Sequence, residues 1–297
     1  MKEIGRLITA MVTPFNEDGE VDYEQAKRLA VALLDSGSDG VVVVGTTGES
    51  PTVTWEEEMQ LFREIKSAVG GRGTVIAGTG SNSTAEALEA TRKAETTGVD
   101  ACLLVVPYYN KPTQEGLYQH FKTIAQGTSL PCILYNVPSR TVTSLSVDTI
   151  VRLSQIDNIV GIKEACGNMD QVAHTISNAR KDFLIWSGND SDNFGIMALG
   201  GYGAISVASH LVGKQLKEMI DAFISGRADK AAALHRHLLP LINAMFIVSN
   251  PIPVKYAVNY VGFKVGKPRL PLTEPDEKTA ALIRDALKNY QIDLPVP

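Results

Sequence analysis

Eight short apolar runs, separated by amphipathic segments, constrain the fold of this 297-residue chain more than any other feature. The runs are typical of buried strands and span residues 7–12, 40–44, 74–77, 101–106, 132–135, 159–163, 183–186 and 203–206. Segments with apolar residues three and four apart lie between or after them, at 23–34, 56–69, 84–97, 114–125, 147–153, 169–179, 192–199 and 211–224. This alternation predicts parallel strands joined by crossover helices, and eight such units predict an α/β fold of the (β/α)8, or TIM barrel, type.

The pattern changes after about residue 225. Helices are predicted at 228–245, 251–260 and 278–289, and the proline-rich stretch 265–275 reads as a linking loop. No further strand is predicted. We therefore expect two regions, a barrel of residues 1–225 with its active site at the carboxyl ends of the strands, and a small C-terminal helical domain of residues 226–297.

A doubly wound open sheet is the rival fold. Its best support is the sequence Gly-Thr-Gly-Ser-Asn-Ser at 78–83, which resembles half of a dinucleotide-binding fingerprint. That stretch lacks the third glycine and follows the third strand rather than the first. Asp100, about twenty positions on, precedes its strand, whereas ribose binding needs the acid at a strand's end. A tight barrel loop is the better interpretation.

Composition excludes several classes of function. The chain is 44% hydrophobic and 21% charged, and its net charge of −5 is spread without a basic stripe, so neither nucleic acid nor a membrane surface is an expected partner. Three cysteines without a CxxC motif indicate a reducing compartment, and we expect a cytosolic protein in which Cys102 and Cys132 are small core residues. None of the five histidines pairs with another at i, i+4, and no metal site is expected.

Lys163 is the residue that carries most of the chemistry. It ends the apolar run Ile159-Val160-Gly161-Ile162, where an ammonium is poorly solvated and its pKa should fall. A neutral lysine amine is a nucleophile toward carbonyls, so Lys163 is a candidate Schiff-base lysine. The alternative is a structural lysine whose ammonium reaches solvent or pairs with Glu164.

Other polar residues follow the strand ends, where the active sites of parallel barrels form. Tyr135 ends the strand beside that of Lys163 and supplies a phenol that can move protons. The turn at 45–48 offers N–H groups that suit a carboxylate, and Arg140 offers a bidentate fork for another. Each feature also has an ordinary explanation. Tyr135 could be a tyrosine at the rim of the barrel, the turn at 45–48 a plain tight turn, and Arg140 a solvated arginine on a loop.

Taken together, these motifs resemble the dihydrodipicolinate synthase family, within the pyruvate-dependent Schiff-base class I aldolases of the N-acetylneuraminate lyase superfamily. The resemblance covers essentially the whole chain. It rests on Gly-Thr-Thr-Gly-Glu-Ser at 45–50, Pro-Tyr-Tyr-Asn at 107–110, Gly-Leu-Tyr-Gln-His-Phe at 116–121, Tyr-Asn-Val-Pro-Ser-Arg-Thr at 135–141, Gly-Ile-Lys-Glu-Ala at 161–165 and Asn-Pro-Ile-Pro-Val-Lys at 250–255. The Ser139-Arg140 pair favours the synthases over their aldolase relatives.

The resemblance implies a lyase of lysine and diaminopimelate biosynthesis that condenses pyruvate with L-aspartate 4-semialdehyde and needs no cofactor. Lys163 would form the imine, and Tyr135 would transfer protons. Thr46 would link Tyr135 to Tyr109, which comes from a neighbouring subunit of a homo-oligomer, usually a tetramer. The pyruvate carboxylate would bind at Thr46–Thr47 and that of the semialdehyde at Arg140, with the remaining pocket residues being Ile205 and Gly188.

A lysine-feedback site is a further implication. Asn82, Glu86 and Tyr108 match it, and Ser50 and Trp55 complete the expected set. Trp55 and Glu58 stand where lysine-inhibited bacterial enzymes have histidines, so inhibition by L-lysine is left open. Smaller departures are Val142, where glycine often stands, and Cys166, where threonine is frequent.

Two other functions remain open from the sequence. One is a sister aldolase acting on a sialic acid, a 2-keto-3-deoxy sugar acid or 4-hydroxy-2-oxoglutarate, which Arg140 would discriminate. The other is a keto-acid sensor without turnover, which the joint presence of Lys163, Tyr135, Thr46 and Tyr109 disfavours.

Overall fold

The computed structural model describes residues 4–296 and contains the predicted closed barrel of parallel strands. The strands occur in sequence order: β1 Leu7–Ala10, β2 Gly40–Val43, β3 Thr74–Gly78, β4 Ala101–Val105, β5 Cys132–Asn136, β6 Ile159–Glu164, β7 Leu184–Ser187 and β8 Gly203–Ser206. Each predicted strand is therefore confirmed, with bounds that shift by no more than two residues.

The helices also agree with the sequence pattern, and the predicted helices after residue 225 are present. The helices are α1 Tyr23–Asp35, α2 Trp55–Val69, α3 Thr84–Glu95, α4 Gln114–Gln126, α5 Pro138–Thr141, α6 Val147–Leu153, α7 Met169–Asn178, α8 Asn193–Ala198, α9 Ser209–Ile224, α10 Ala228–Ala244, α11 Ile252–Tyr260 and α12 Glu277–Leu287. The one-turn helix α5 was not predicted, nor were 3-10 turns at Thr46–Gly48, Ser50–Thr52 and Asp190–Asp192. These pieces are too short to show a helical period in the sequence.

Local capping explains where two barrel helices begin. The Thr54 side chain accepts from the Glu57 N–H, and the Glu57 carboxylate accepts from the Thr54 N–H, which completes a capping box at α2. Ser83 caps α3 by accepting from the Glu86 N–H. The Glu86 carboxylate accepts from the Ser81 hydroxyl, at 2.9 Å.

The pairing of β5 with β6 contains an irregularity. Cys132 is aligned with Ile159, but Ile133 is aligned with Gly161, so β6 carries one extra residue, Val160, at this point. Beyond this bulge the two strands run in register to their carboxyl ends. Gly161 fits here because a Cβ would lie 2.2 Å from the Leu184 carbonyl oxygen, on neighbouring β7.

The described chain divides into two compact units, one of residues 4–75 and 206–296 and one of residues 76–205. In the first unit, α9 packs on β1 and α10, and α12 packs on both α10 and α11. No strand is described between residues 226 and 296, and the predicted linking loop at 265–275 is non-helical. The domain boundary at residue 225 stays a prediction.

Candidate active site

The carboxyl ends of β5 and β6 place Tyr135 beside Lys163. These residues are aligned across the two strands, and Asn136 is aligned with Glu164. Successive side chains of a strand point to opposite faces, so Tyr135 and Lys163 share one face while Asn136 and Glu164 share the other. The Lys163 Nζ lies 4.4 Å from the centre of the Tyr135 ring. The adjacency predicted from the sequence is therefore present.

Lys163 is buried, with 5% of its surface exposed. Burial lowers the pKa of its ammonium to about 8. The charge of Asp190 opposes this shift, and the guanidinium of Arg140 adds to it. At pH 7 the neutral fraction of the amine rises from about 0.03% to about 10%, which prepares it for attack on a carbonyl.

Glu164 does not act as the partner of Lys163. Its carboxylate accepts from the Asn136 amide at 3.0 Å and 3.2 Å, and from the Cys166 N–H at 2.9 Å. Burial raises the pKa of Glu164, which these hydrogen bonds counteract. The expected alternative of an ion pair between Lys163 and Glu164 is therefore wrong, while the role of Lys163 stays a prediction.

The end of β7 shapes the space next to Lys163. A Cβ at Gly188 would lie 3.0 Å from the Lys163 Cγ and 2.9 Å from the Ala165 Cβ, so glycine leaves room for the lysine stem. Asp190, to which the sequence analysis gave no role, is 2% exposed and accepts from the Asn193 amide at 3.2 Å. Asp190 could have been identified from the sequence by its position, because it is an acidic residue just after a barrel strand.

In the other unit, β2 leads into the predicted glycine-flanked turn. Thr46–Gly48 form a 3-10 turn between Val44 and Glu49, whose φ angles of 57° and 59° lie in the left-handed region. A positive φ is a costly conformation for a β-branched residue such as Val44. The turn therefore needs support from its surroundings.

That support comes from residues the sequence analysis did not single out. The Thr13 hydroxyl donates to the Gly48 carbonyl at 2.6 Å, and the Asn250 amide donates to the Thr47 hydroxyl at 2.9 Å. The Lys255 ammonium donates to Glu49 at 2.7 Å. The motif Asn-Pro-Ile-Pro-Val-Lys at 250–255 had been noted only as part of the family resemblance.

The remaining predicted residues occupy different settings. Arg140 is exposed, and it lies in the one-turn helix α5 rather than on a loop as its alternative explanation had it. Tyr109 has φ 74° and is 88% exposed, whereas Ile205 on β8 is 1% exposed. The sequence pattern alone does not separate these settings, because all three residues lie near or just beyond the carboxyl end of a strand.

Part of the predicted lysine site lies together in the unit of residues 76–205. The Asn82 amide donates to the Tyr108 carbonyl at 3.0 Å, and the Asn110 amide donates to the Asn82 carbonyl at 2.9 Å. In the other unit Trp55 is 37% exposed. Burial raises the pKa of nearby Glu58, in the same first turn of α2, to about 8.

Other kinds of site are not found in the part of the chain that the structure describes. Among residues 4–296, no group of three or more histidine, cysteine or acidic side chains could hold a metal ion. None of the helices described is long and apolar enough to cross a membrane. All three cysteines are free, and Cys102 and Cys132 are buried as predicted.

Comparison with known proteins adds an independent line of evidence. The model of the family described as the dihydrodipicolinate synthetase family matches residues 3–290. A 4-hydroxy-tetrahydrodipicolinate synthase of Dehalococcoides mccartyi (strain ATCC BAA-2266 / KCTC 15142 / 195) is 72% identical over 296 residues, covering 100% of both chains.

Solved structures agree with this relative. A dihydrodipicolinate synthase from Bacillus anthracis superposes with a TM-score of 0.96 at 46% identity, covering 98% of this chain and 100% of its own. The enzyme from Cyanidioschyzon merolae, solved with lysine bound, gives 0.95 at 46% identity, covering 96% and 98%. The fold and the sequence thus point to the same set of relatives.

Proposed function

Because the chain belongs to the dihydrodipicolinate synthetase family, we propose that it condenses pyruvate with L-aspartate 4-semialdehyde on Lys163. The product is 4-hydroxy-tetrahydrodipicolinate, on the route to diaminopimelate and lysine. The observation that carries this proposal is the buried amine of Lys163, with its lowered pKa, facing the ring of Tyr135.

The reaction begins with attack of the neutral Lys163 amine on the keto carbon of pyruvate. Water leaves, and the resulting imine withdraws electrons from the adjacent methyl group, which then loses a proton to form an enamine. The enamine carbon attacks the aldehyde and forms the new carbon–carbon bond. The amino group of the product then attacks the imine carbon, closes the ring and releases Lys163.

The side chains supply proton transfer and charge. Tyr135 gives and takes protons as the imine forms and as the aldehyde oxygen becomes a hydroxyl. Thr46 relays those protons toward Tyr109, and the turn at Thr46–Thr47 binds the pyruvate carboxylate. Arg140 binds the carboxylate of the semialdehyde. Its side chain is exposed at the end of a one-turn helix, which suits a residue that meets an incoming substrate.

Borohydride reduction in the presence of pyruvate tests the proposal. We expect one stable adduct, which peptide mass mapping places on Lys163. Lys255 is a built-in control, because it is also buried and also has a pKa lowered to about 8, yet it should stay unmodified. A wild-type enzyme without an adduct, or with one at another lysine, would contradict the proposal.

The alternative functions have weaker support. A full-length relative at 72% identity carries the synthase name, whereas no observation favours a sialic-acid or sugar-acid aldolase. Arg140→Ala separates these possibilities, because it should abolish condensation with the semialdehyde while imine trapping with pyruvate continues. Turnover in an assay with both substrates excludes a non-catalytic sensor.

The proposal includes a cytosolic homo-oligomer, with a tetramer as the expected form. In the single chain the Tyr109 side chain is 88% exposed, as expected for a residue that acts in a neighbouring subunit. The three free cysteines suit a reducing compartment. Sedimentation and a Tyr109→Phe variant test this part, and an active monomer would contradict it.

The proposal also assigns L-lysine as a regulatory ligand of Ser50, Trp55, Asn82, Glu86 and Tyr108. Support comes from the hydrogen bond of Asn82 to Tyr108 and from the bond of Glu86 to Ser81, which hold these groups in place. Titration of L-lysine into the assay should lower activity, and Asn82→Ala should remove the effect. Unchanged activity at millimolar lysine would refute this assignment.

A further inference from the structure

We infer that Asn250 is a positioning residue: it fixes the Thr47 hydroxyl as a hydrogen-bond donor toward the keto-acid carboxylate, while the buried Lys255–Glu49 pair fixes the turn beneath it. This inference rests on the proposed function, since it concerns the same substrate. It explains how a segment before α11 takes part in selecting an anionic substrate.

The first step is the direction of one hydrogen bond. The Asn250 amide nitrogen donates to the Thr47 hydroxyl oxygen at 2.9 Å, and both residues are buried. A hydroxyl has one hydrogen to donate and two lone pairs to accept with. Because Asn250 occupies a lone pair, the hydroxyl hydrogen of Thr47 points away from it and remains available to another acceptor.

The second step is the rigidity of the backbone around Thr47. The Gly48 carbonyl accepts from the Thr13 hydroxyl, and a Cβ at Gly48 would lie 3.2 Å from both that hydroxyl oxygen and the Met11 carbonyl oxygen. The turn is also flanked by the two left-handed residues Val44 and Glu49. Such conformations persist only where the surroundings hold them.

The third step is the ion pair below the turn. The Glu49 carboxylate accepts from the Lys255 ammonium at 2.7 Å and from the Arg269 N–H at 2.8 Å. The ammonium also donates to the Thr13 carbonyl at 2.9 Å and lies 4.0 Å from the centre of the Phe15 ring. These bonds satisfy both buried charges, so the pair anchors the turn without offering a free charge to substrate.

The consequence is that the turn at Thr47 forms a hydrogen-bond donor site suited to a carboxylate. With its backbone fixed and its hydroxyl hydrogen directed, Thr47 presents donors in one arrangement before substrate arrives. Preorganised donors favour an anion over a neutral acceptor of the same shape. Replacement of Asn250 should therefore slow imine formation with pyruvate. It should have little effect on imine formation with methyl pyruvate, which has the same carbonyl but no negative charge.

The experiment compares borohydride trapping of pyruvate and of methyl pyruvate at pH 8 in wild type, Asn250→Asp and Asn250→Ala. In Asn250→Asp, the ionised carboxylate accepts from the Thr47 hydroxyl and turns its hydrogen away from substrate. The pyruvate preference is the ratio of the trapping rate with pyruvate to that with methyl pyruvate. We expect Asn250→Asp to lower this ratio by about 10-fold to 100-fold and Asn250→Ala to lower it by a smaller factor. Trapping of methyl pyruvate should stay near the wild-type rate.

Steady-state kinetics give a second readout. In both variants the KM for pyruvate should rise, while kcat and the KM for the semialdehyde change little, because only carboxylate binding is affected. Asn250→Ala adds no charge to the interior and carries the test if Asn250→Asp fails to fold.

Asn259→Asp is the matched control. Asn259 lies on α11, donates to the Gly266 carbonyl at 2.8 Å and accepts from the Val265 N–H at 2.8 Å, so its side-chain amide is hydrogen-bonded away from the turn. It should retain the pyruvate preference. The inference is overturned if folded Asn250 variants keep that preference, or lose trapping of both ketones equally. Absence of trapping in the wild type would instead overturn the proposed function.

Discussion

Lys163 and Lys255 are two buried lysines whose surroundings give them different chemistry. Burial lowers the pKa of each to about 8. The ammonium of Lys255 is held by the Glu49 carboxylate and the Thr13 carbonyl. Among the described residues Lys163 has no ion pair, and its Nζ faces the Tyr135 ring. We therefore expect Lys163 to act as the nucleophile and Lys255 to stay structural, because only the Lys255 ammonium is held by fixed acceptors.

Two valines with positive φ angles show a second contrast. Val44 precedes the turn anchored by Lys255, and Val142 ends the helix that carries Arg140. Both have positive φ, at 57° and 62°. Val44 is 1% exposed, whereas Val142 is 68% exposed. The first is held by packing of its side chain, while the second has little packing to offset its strain.

Replacement of Lys163 should have the largest effect on activity. Lys163→Met removes the nucleophile, and we expect turnover to fall by on the order of 1,000-fold or more while the protein stays folded. A coupled assay with both substrates measures the loss. Near-normal turnover in this variant would remove the distinction between the two lysines.

Replacement of Lys255 should lower the stability of the fold. Lys255→Met leaves the Glu49 charge buried, which costs about 3–5 kcal/mol of unfolding free energy. Denaturant unfolding measures this. Glu49→Leu combined with Lys255→Met removes both charges and should recover part of the loss, and a double variant no more stable than the single would contradict the ion-pair explanation.

The pH dependence of imine trapping sharpens the contrast further. Since only the neutral amine attacks, the trapping rate should rise with pH and level off above about pH 8, the pKa of Lys163. Asp190 raises that pKa, so Asp190→Asn should move the midpoint to lower pH. Asp192→Asn, on the same 3-10 turn, is the control and should leave the midpoint in place. A midpoint unmoved by Asp190→Asn would contradict the assigned role of its charge.

The smallest expected effect concerns the strained valines. Val142→Gly relieves a left-handed conformation and gives up little packing, so it should raise the unfolding free energy by about 1 kcal/mol. Val44→Gly relieves the same strain but loses a buried side chain and should be destabilising. Thermal unfolding of the two variants compares them directly, and equal shifts would show that packing does not separate these positions.

Much of the fold could be predicted because it depends on repeated local patterns. The strands are apolar runs and the longer helices carry regular spacing, so their bounds follow from the sequence. The short α5 and the 3-10 turns have no such period, which is why the one-turn helix that carries Arg140 was not predicted. Within the site, the adjacency of Tyr135 and Lys163 could be predicted because parallel strands align their ends.

The supporting residues could not be predicted in the same way. Asn250 and Lys255 lie far along the chain from the turn that they contact, with separations of 203 and 206 residues, and no local period connects them to it. Asp190 acts on Lys163 through its charge rather than through a motif. Residue type alone does not reveal such long-range partners, because an asparagine or a lysine near the start of a helix is ordinary.

The bulge in β6 decides which side chain lies beside Tyr135. Because Val160 is left unpaired, Lys163 is level with Tyr135. If the pairing of Cys132 with Ile159 continued without this offset, Tyr135 would be level with Ile162, and the amine would point to the opposite face. Deletion of Val160 would remove the bulge and keep the nucleophile in place. Insertion of one residue just after Gly161 would instead turn the Lys163 amine to the opposite face of the strand, away from Tyr135, although no side chain would be lost.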